Sequence, residues 1–237
     1  MATFVLVPGA WLGGWCWRDV VNELEGRGHS AFTPTLSGLA ERADLLTRDT
    51  GLQTHVADMV ELLQERDLSR VMLVGHSYGG TVITAAAEQS PERIGCLVYL
   101  DASVPLDRQS NNDVLGPRWA AELRAQAHAK GDGWRVPPAS VDGWDLPEAT
   151  RARVAPLLTP HPLRSLEEPV RLRSMAAAML PRAFVRSSAQ STLYGDLMAR
   201  ARRAGWRCAD IEGGHYAMLS QPQGVAAALH ELAGAAS

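Results

Sequence analysis

The chain is 237 residues long, with a formal net charge of −3, 46% apolar residues and 21% charged ones. That length suits one α/β domain, or such a domain with a modest insertion, and the apolar share is enough for a real core. The near-neutral balance gives no reason to expect nucleic acid or an anionic membrane as partner, and no run approaches the ~20 apolar residues of a membrane span. A single lysine, Lys130, stands against 22 arginines, a compositional bias into which no function is read. The opening ATFVLVP lacks the basic region and cleavage site of a secretory leader. Cys16, Cys96 and Cys208 lie in or beside apolar runs. Such an odd set of thiols is expected to stay free in a reducing compartment, so the expected location is the cytoplasm.

Taken in chain order, Thr3–Val7 reads as a strand. Residues 17–25 carry Val20, Val21 and Leu24 at helical spacing and end at Gly26 and Gly28; 30–33 reads as a short second strand. Thr54 can cap a helix that carries Val56, Met59, Val60 and Leu63. A continuous apolar strand at 70–74, a helix at Gly79–Gln89 and a strand at 95–100 follow. Uninterrupted apolar strands alternating with helices predict a mostly parallel sheet covered on both faces. Over 105–181 the pattern breaks: Pro, Arg and Trp are frequent, helical pieces appear at 118–129 and 167–179, and there is no strand candidate. It resumes with a strand at 183–185, a helix at 196–204, a strand at Arg207–Ile211 and a helix at 224–232. The predicted organisation is therefore a core domain of 1–104 and 182–237, with a helical insertion at 105–181.

Between the strand at 70–74 and the helix after it stands GHSYG (75–79), which fits G-x-S-x-G in the strand–turn–helix setting that motif needs. Glycines flank a turn too tight for side chains, the hydroxyl of Ser77 is lifted above the strand end, and the N–H of Tyr78 points from the helix start toward a developing oxyanion. A serine is a weak nucleophile without a base, itself held by a third group. His215, in DIEGGHYAM, follows the last predicted strand and two glycines and is the expected base. His230 falls in the last helix, and His128 and His161 in the insertion. His29 and His55 are expected at surface or capping positions, and His76 in packing.

The stretches FVLVPGAWLGGWCW, GHSYGG, YLDASVP and GGHYAMLSQP resemble the α/β-hydrolase superfamily. More closely, they resemble small bacterial esterases akin to plant hydroxynitrile lyases and methyl-ester esterases. The resemblance covers nearly the whole sheet domain and implies the α/β-hydrolase fold, a catalytic triad, an oxyanion hole and a helical cap over the pocket. Many relatives carry the triad acid after the strand that follows the cap, but VRSSAQSTL (185–193) holds no carboxylate. Asp101, ending the strand at 97–100, is the expected acid, because some α/β hydrolases, haloalkane dehalogenases among them, carry theirs there. Asp196 is the alternative, with helix capping as its ordinary role.

The resemblance makes the N–H of Ala10 the second oxyanion donor and replaces the relatives' usual histidine by Pro8. Hydroxynitrile lyases have threonine where Gly9 stands and lysine where Tyr216 stands, so lyase activity is not expected. Dehalogenases and epoxide hydrolases would need Asp in place of Ser77. The expected reaction is hydrolysis of a small, hydrophobic or aromatic carboxylic ester or lactone through an acyl-enzyme. Trp11, Trp15, Trp119 and Tyr216 are the expected substrate-binding residues, with Trp134 and Trp144 facing the same cavity and Trp17 in the core. No metal-ligand cluster or phosphate loop is visible, so no cofactor is expected; monomer and homodimer both stay open. The same fold also serves as small-molecule receptor or non-hydrolytic cyclase, which is the alternative reading.

Overall fold

The computed structural model describes residues 1–189 and 192–234. β1 (Thr3–Val7) leads through a 3-10 turn at Gly14–Trp17 into α1 (Arg18–Gly26), followed by β2 (Ser30–Phe32). Next come α2 (Leu52–Glu65), β3 (Val71–His76), α3 (Gly79–Gln89) and β4 (Ile94–Leu100). The chain then leaves the sheet for α4 (Asn111–Leu115), α5 (Pro117–Lys130), β5 (Arg135–Val136), α6 (Glu148–Val154), β6 (His161–Pro162), α7 (Leu163–Glu167) and α8 (Met175–Ala178). It returns with β7 (Arg182–Ser187), α9 (Thr192–Arg203), β8 (Arg207–Ile211), α10 (Ala217–Ser220) and α11 (Pro222–Gly234).

Six strands form one parallel sheet in the order β2-β1-β3-β4-β7-β8. Strand side chains alternate between faces, and the two faces bury separate cores. Phe4, Leu6, Met72, Val74, Cys96 and Val98 pack with α1, α10 and α11. Val5, Val7, Leu73, Leu97, Tyr99 and Phe184 pack with α2, α3 and α9. Each such side chain, fully withdrawn from water, is worth about 1.5–3 kcal/mol, which is why these strands read as unbroken apolar runs. The sheet with helices on both faces is the architecture the sequence predicts.

The differences from the sequence reading are local. β5 and β6 pair antiparallel, Val136 opposite His161, as a ribbon where no strand was expected; two residues per strand are too few to show a period. Of the helix expected at 167–179 only the end of α7 and the short α8 form, because Pro169 disfavours helical backbone at Glu168 (φ −68°, ψ 126°) and α8 starts afresh at the Ser174 cap. Thr54 lies in the first turn of α2 rather than at its cap, its hydroxyl accepting the N–H of Gly51 at 3.2 Å. α9 begins at Thr192, so Asp196 is an exposed residue inside that helix and not its N-cap. Gln190 and Ser191, within the stretch searched for an acid, lie outside the described residues. Among the described residues no helix is long and apolar enough to cross a membrane. All three cysteines are free, Cys16 and Cys96 buried and Cys208 partly so.

Candidate active site

In an open parallel sheet the loops diverge at the carboxyl ends of the strands and leave a crevice there. At that edge a cavity of about 440 Å3 is lined by Ser77 and Tyr78 after β3, Ala10 and Trp11 after β1, and His215 after β8. Left-handed backbone, rare outside glycine, occurs after three neighbouring strands: Trp11 (φ 66°), Ser77 (φ 53°) and Asp101 (φ 40°). Each such residue stores roughly 1–2 kcal/mol of strain, so the surroundings must hold it. The Ser77 N–H donates to the carbonyl of Leu100 (3.3 Å), and the Ser77 carbonyl accepts from Ser103 (3.0 Å). Asp101 N–H donates to Val185 (2.9 Å). The glycines are demanded by contact: a Cβ on Gly75 would lie 2.5 Å from the backbone of Gly79, and one on Gly79 2.8 Å from the carbonyl oxygens of Val7 and Pro8.

Asp101 is fully buried. Its Oδ1 accepts the N–H of Ser187 at 3.0 Å, and its Oδ2 faces Nδ1 of His215 at 3.9 Å, neither of those two atoms having another hydrogen-bond partner. A movement of about 1 Å turns that pair into an N–H···O bond. Three rings surround the imidazole: Tyr194 lies parallel to it at 5.1 Å, His76 tilted at 4.5 Å and Tyr216 edge-on at 5.1 Å. Because a carbonyl can only accept, the 2.8 Å contact between His76 Nε2 and the His215 carbonyl makes His76 an Nε2–H donor that pins the His215 loop. Burial and the neighbouring His215 hold His76 far below the usual histidine range, hence neutral. Burial, then the charge of Asp101, pushes the Tyr194 phenol up.

Two buried histidines brace the loops that carry the candidate oxyanion donors. His55 Nε2–H donates to the carbonyl of Ser37 (3.0 Å), which leaves Nδ1 to accept from the Tyr78 hydroxyl (2.8 Å). Ser165 gives its hydroxyl proton to Pro162 (2.9 Å) and accepts from His161 Nε2–H (2.9 Å). His161 Nδ1 therefore accepts the Trp11 N–H at 3.4 Å, while the Trp11 indole donates to the carbonyl of Val136 at 3.1 Å. Burial lowers His55 to about 4 and takes His161 well below its usual value, so both are neutral near pH 7. The backbone N–H groups of Ala10 and Tyr78 have no acceptor among the described residues.

The cavity brings together Ser77, His215, Ala10, Tyr78, Trp11, Trp119 and Tyr216, with Asp101 directly behind His215. Trp144 also lines it, stacked on Tyr216 at 3.6 Å. Trp15 does not: neighbours two apart in the Gly14–Trp17 turn point different ways. Trp17 goes into the core beside His76, and Trp15 packs against the α1–α11 cluster. Trp134 is likewise elsewhere, with the guanidinium groups of Arg48 and Arg135 over its ring. Sequence reasoning placed His55 at a surface or cap, whereas it is fully buried, and it passed over Tyr194 and His161. Tyr194 had a signal, as the first member of the buried stripe Tyr194, Leu197, Met198 and Ala201 on α9.

Comparison with known proteins bears on this geometry. The pattern of the Alpha/beta hydrolase family matches residues 4–228. A "Carbendazim hydrolyzing esterase" of Nocardioides sp. (strain SG-4G) is 34% identical over 243 residues, spanning 98% of this chain and 100% of that one. "Putative methylesterase 14, chloroplastic" of Arabidopsis thaliana is 31% identical over 57% of this chain and 40% of its own length. Among solved structures, an extracellular alpha/beta-hydrolase from a Paenibacillus species superposes with a TM-score of 0.86 at 24% identity. That match covers 98% of both chains and speaks to the fold.

Proposed function

Because this chain belongs to the alpha/beta hydrolase family, we propose that it is a carboxylesterase-type serine hydrolase of small, hydrophobic or aromatic esters or lactones. The observation that carries the reading is the convergence of Ser77 and His215 on one cavity, with the buried Asp101 carboxylate facing His215 Nδ1. Ser77 attacks the ester carbonyl and His215 takes its proton. Asp101 orients the imidazole and stabilises the imidazolium. The N–H groups of Ala10 and Tyr78 receive the oxyanion, each worth about 3–4 kcal/mol in the transition state. His215 then protonates the leaving alcohol and activates the water that frees the acid. Tyr194, a neutral phenol stacked on His215, keeps the ring aligned.

In this reading 1–104 and 182–237 form the catalytic core, and 105–181 is the cap that selects substrate through Trp119 and Trp144, with Trp11 and Tyr216 contributing from the core side. The substrate is a small molecule, with no nucleic-acid or membrane partner, and the protein works as monomer or homodimer. The buried free thiols Cys16 and Cys96 support the cytoplasm as its place. Carbendazim, named for the Nocardioides relative, belongs in the first substrate screen beside p-nitrophenyl acetate, butyrate and octanoate. Wild type is expected to turn over at least one nitrophenyl ester, with Ser77→Ala slower by roughly 10^3-fold or more. Nitrophenol release by wild type no faster than by Ser77→Ala overturns the proposal.

A further inference from the structure

A second cavity, of about 410 Å3, lies among α3, α8 and α9 and shares no wall residue with the first. Its size falls in the range of small-molecule sites. One wall is flat and aromatic: the Trp206 indole stacks on Tyr99 at 5.4 Å and 22°. At its rim Leu106 (54% exposed) and Met175 (77%) project apolar surface into water. The charges on the wall are unbalanced. Arg182 lies over Trp206 and donates to the carbonyls of Ala177, Ala178 and Leu180, all backbone partners. Arg200 donates to the carbonyl of Val104 and has no carboxylate partner among the described residues. Glu88, the carboxylate on this wall, is committed to the backbone N–H groups of Arg173 (2.6 Å) and Ser174 (2.7 Å).

We propose that this cavity binds an apolar monocarboxylate, its carboxylate on the Arg200 guanidinium and its aliphatic or aryl body along the Tyr99–Trp206 wall. A guanidinium presents a fork of five N–H donors, and one bond to Val104 leaves most of that fork for a bidentate carboxylate. Withdrawal from water already lowers the Arg200 pKa, so an anion that replaces lost solvation is favoured there. Arg173, Arg182 and Arg200 against Glu88 leave the wall cationic, and its apolar lining selects an anion with an apolar body over inorganic phosphate. The body of the ligand covers Leu106 and Met175, the apolar surface otherwise left to water.

Calorimetric titration with octanoate, and with 1-octanol as neutral control, tests the proposal on wild type, Ser77→Ala, Arg200→Met and Ala204→Trp, the last placing a bulky ring at an exposed position on the cavity wall. Wild type and Ser77→Ala are expected to bind octanoate alike, whatever becomes of the esterase reading. Arg200→Met is expected to weaken octanoate by roughly tenfold or more, through loss of a charge-assisted pair, and 1-octanol to bind wild type at least that much more weakly. Ala204→Trp is expected to abolish binding while nitrophenyl-ester turnover persists in both wall variants. If a variant fails to fold, Trp206 fluorescence in wild type gives the location instead: octanoate must change it, and Trp206→Phe must remove the change. Equal octanoate affinity in wild type and Arg200→Met, equal affinity for octanol and octanoate, or no binding at millimolar concentration each overturns the assignment.

Discussion

The turn at Ser77 and the inserted segment 105–181 build opposite walls of one cavity by different means. Around Ser77 position is dictated by backbone: strained left-handed residues at Ser77 and Asp101, glycines in contact with carbonyl oxygens, and main-chain hydrogen bonds between strand ends. The insertion instead reaches the site through side chains. Asn111, Leu115, Trp119 and Leu123 line the cavity from α4 and α5, and Trp144 from the loop after β5. Its joints to the core are scattered, among them the Trp11 bonds to Val136 and His161, the Ala40 N–H donating to Thr159 Oγ1 at 2.8 Å, the Ser103 hydroxyl donating to Asn111 at 2.8 Å, and the Arg173 and Ser174 N–H groups donating to Glu88. The lesson is a division of labour. Groups that must meet within a few tenths of an ångström are set by main chain, and groups that merely shape a volume are set by replaceable side chains.

Substitutions on each side sharpen that contrast. Asp101→Asn is expected to lower kcat by about 10^4-fold, since the amide leaves His215 in the wrong tautomer. Asp196→Asn, at an exposed site on α9, is expected to leave kcat within twofold of wild type in the same nitrophenyl-ester assay, about the ordinary effect of a surface change. Equal losses from the two would remove Asp101 from the catalytic set. Gly75→Ala forces a Cβ to within 2.5 Å of main-chain atoms and is expected to cost about 3 kcal/mol or more. Calorimetry would record that as a Tm lowered by roughly 6–12 °C.

Acid should act on the histidine-braced loops, the His161 segment of the cap among them. His55, His76 and His161 are held neutral by burial, so their folded pKa values lie below the ordinary value near 6.5. Below that pH the unfolded chain takes up protons that the folded chain refuses. Stability is therefore whole above about pH 6.5 and falls as pH drops from there toward 4, by up to about 1.4 kcal/mol per unit for each such histidine. A Tm flat from pH 7 to 5 would contradict the neutral assignments. The smallest effect is on the cap: Trp119→Ala, at a side chain 45% exposed, is expected to change Tm by about 1–2 °C or less. It should raise KM for the octanoyl ester more than for the acetyl ester.

What could be read from sequence follows the same division. The glycine spacing around Ser77 is a steric requirement written within five residues, and His215 is marked by two glycines after a strand. Asp101 was singled out because it ends a continuous apolar strand at which some α/β hydrolases carry their acid. His161 was not: its partner Trp11 is 150 residues away, and its two-residue strand, set among prolines, carries no period. The sequence reads Trp17 into the core and Trp11 to the cavity, but it reads Trp15 to the cavity as well, and only the 3-10 turn at Gly14–Trp17 shows that it packs elsewhere. Tyr194 was missed because the start of α9 was placed four residues late.

The ribbon of β5 and β6 has a consequence for anyone who wishes to retrain this protein by directed evolution. It divides the insertion into an anchor and a graft. Residues 134–136 and 161–165 hold the loop that follows β1, so randomising them would disturb that loop whatever substrate is sought. Leu115, Trp119 and Leu123 of α4 and α5 line the cavity by side chain, whereas Asn111 is tied to the core by the Ser103 hydroxyl at 2.8 Å. Libraries confined to Leu115, Trp119 and Leu123 are the economical route to new acyl groups, because they alter what enters without retuning what reacts.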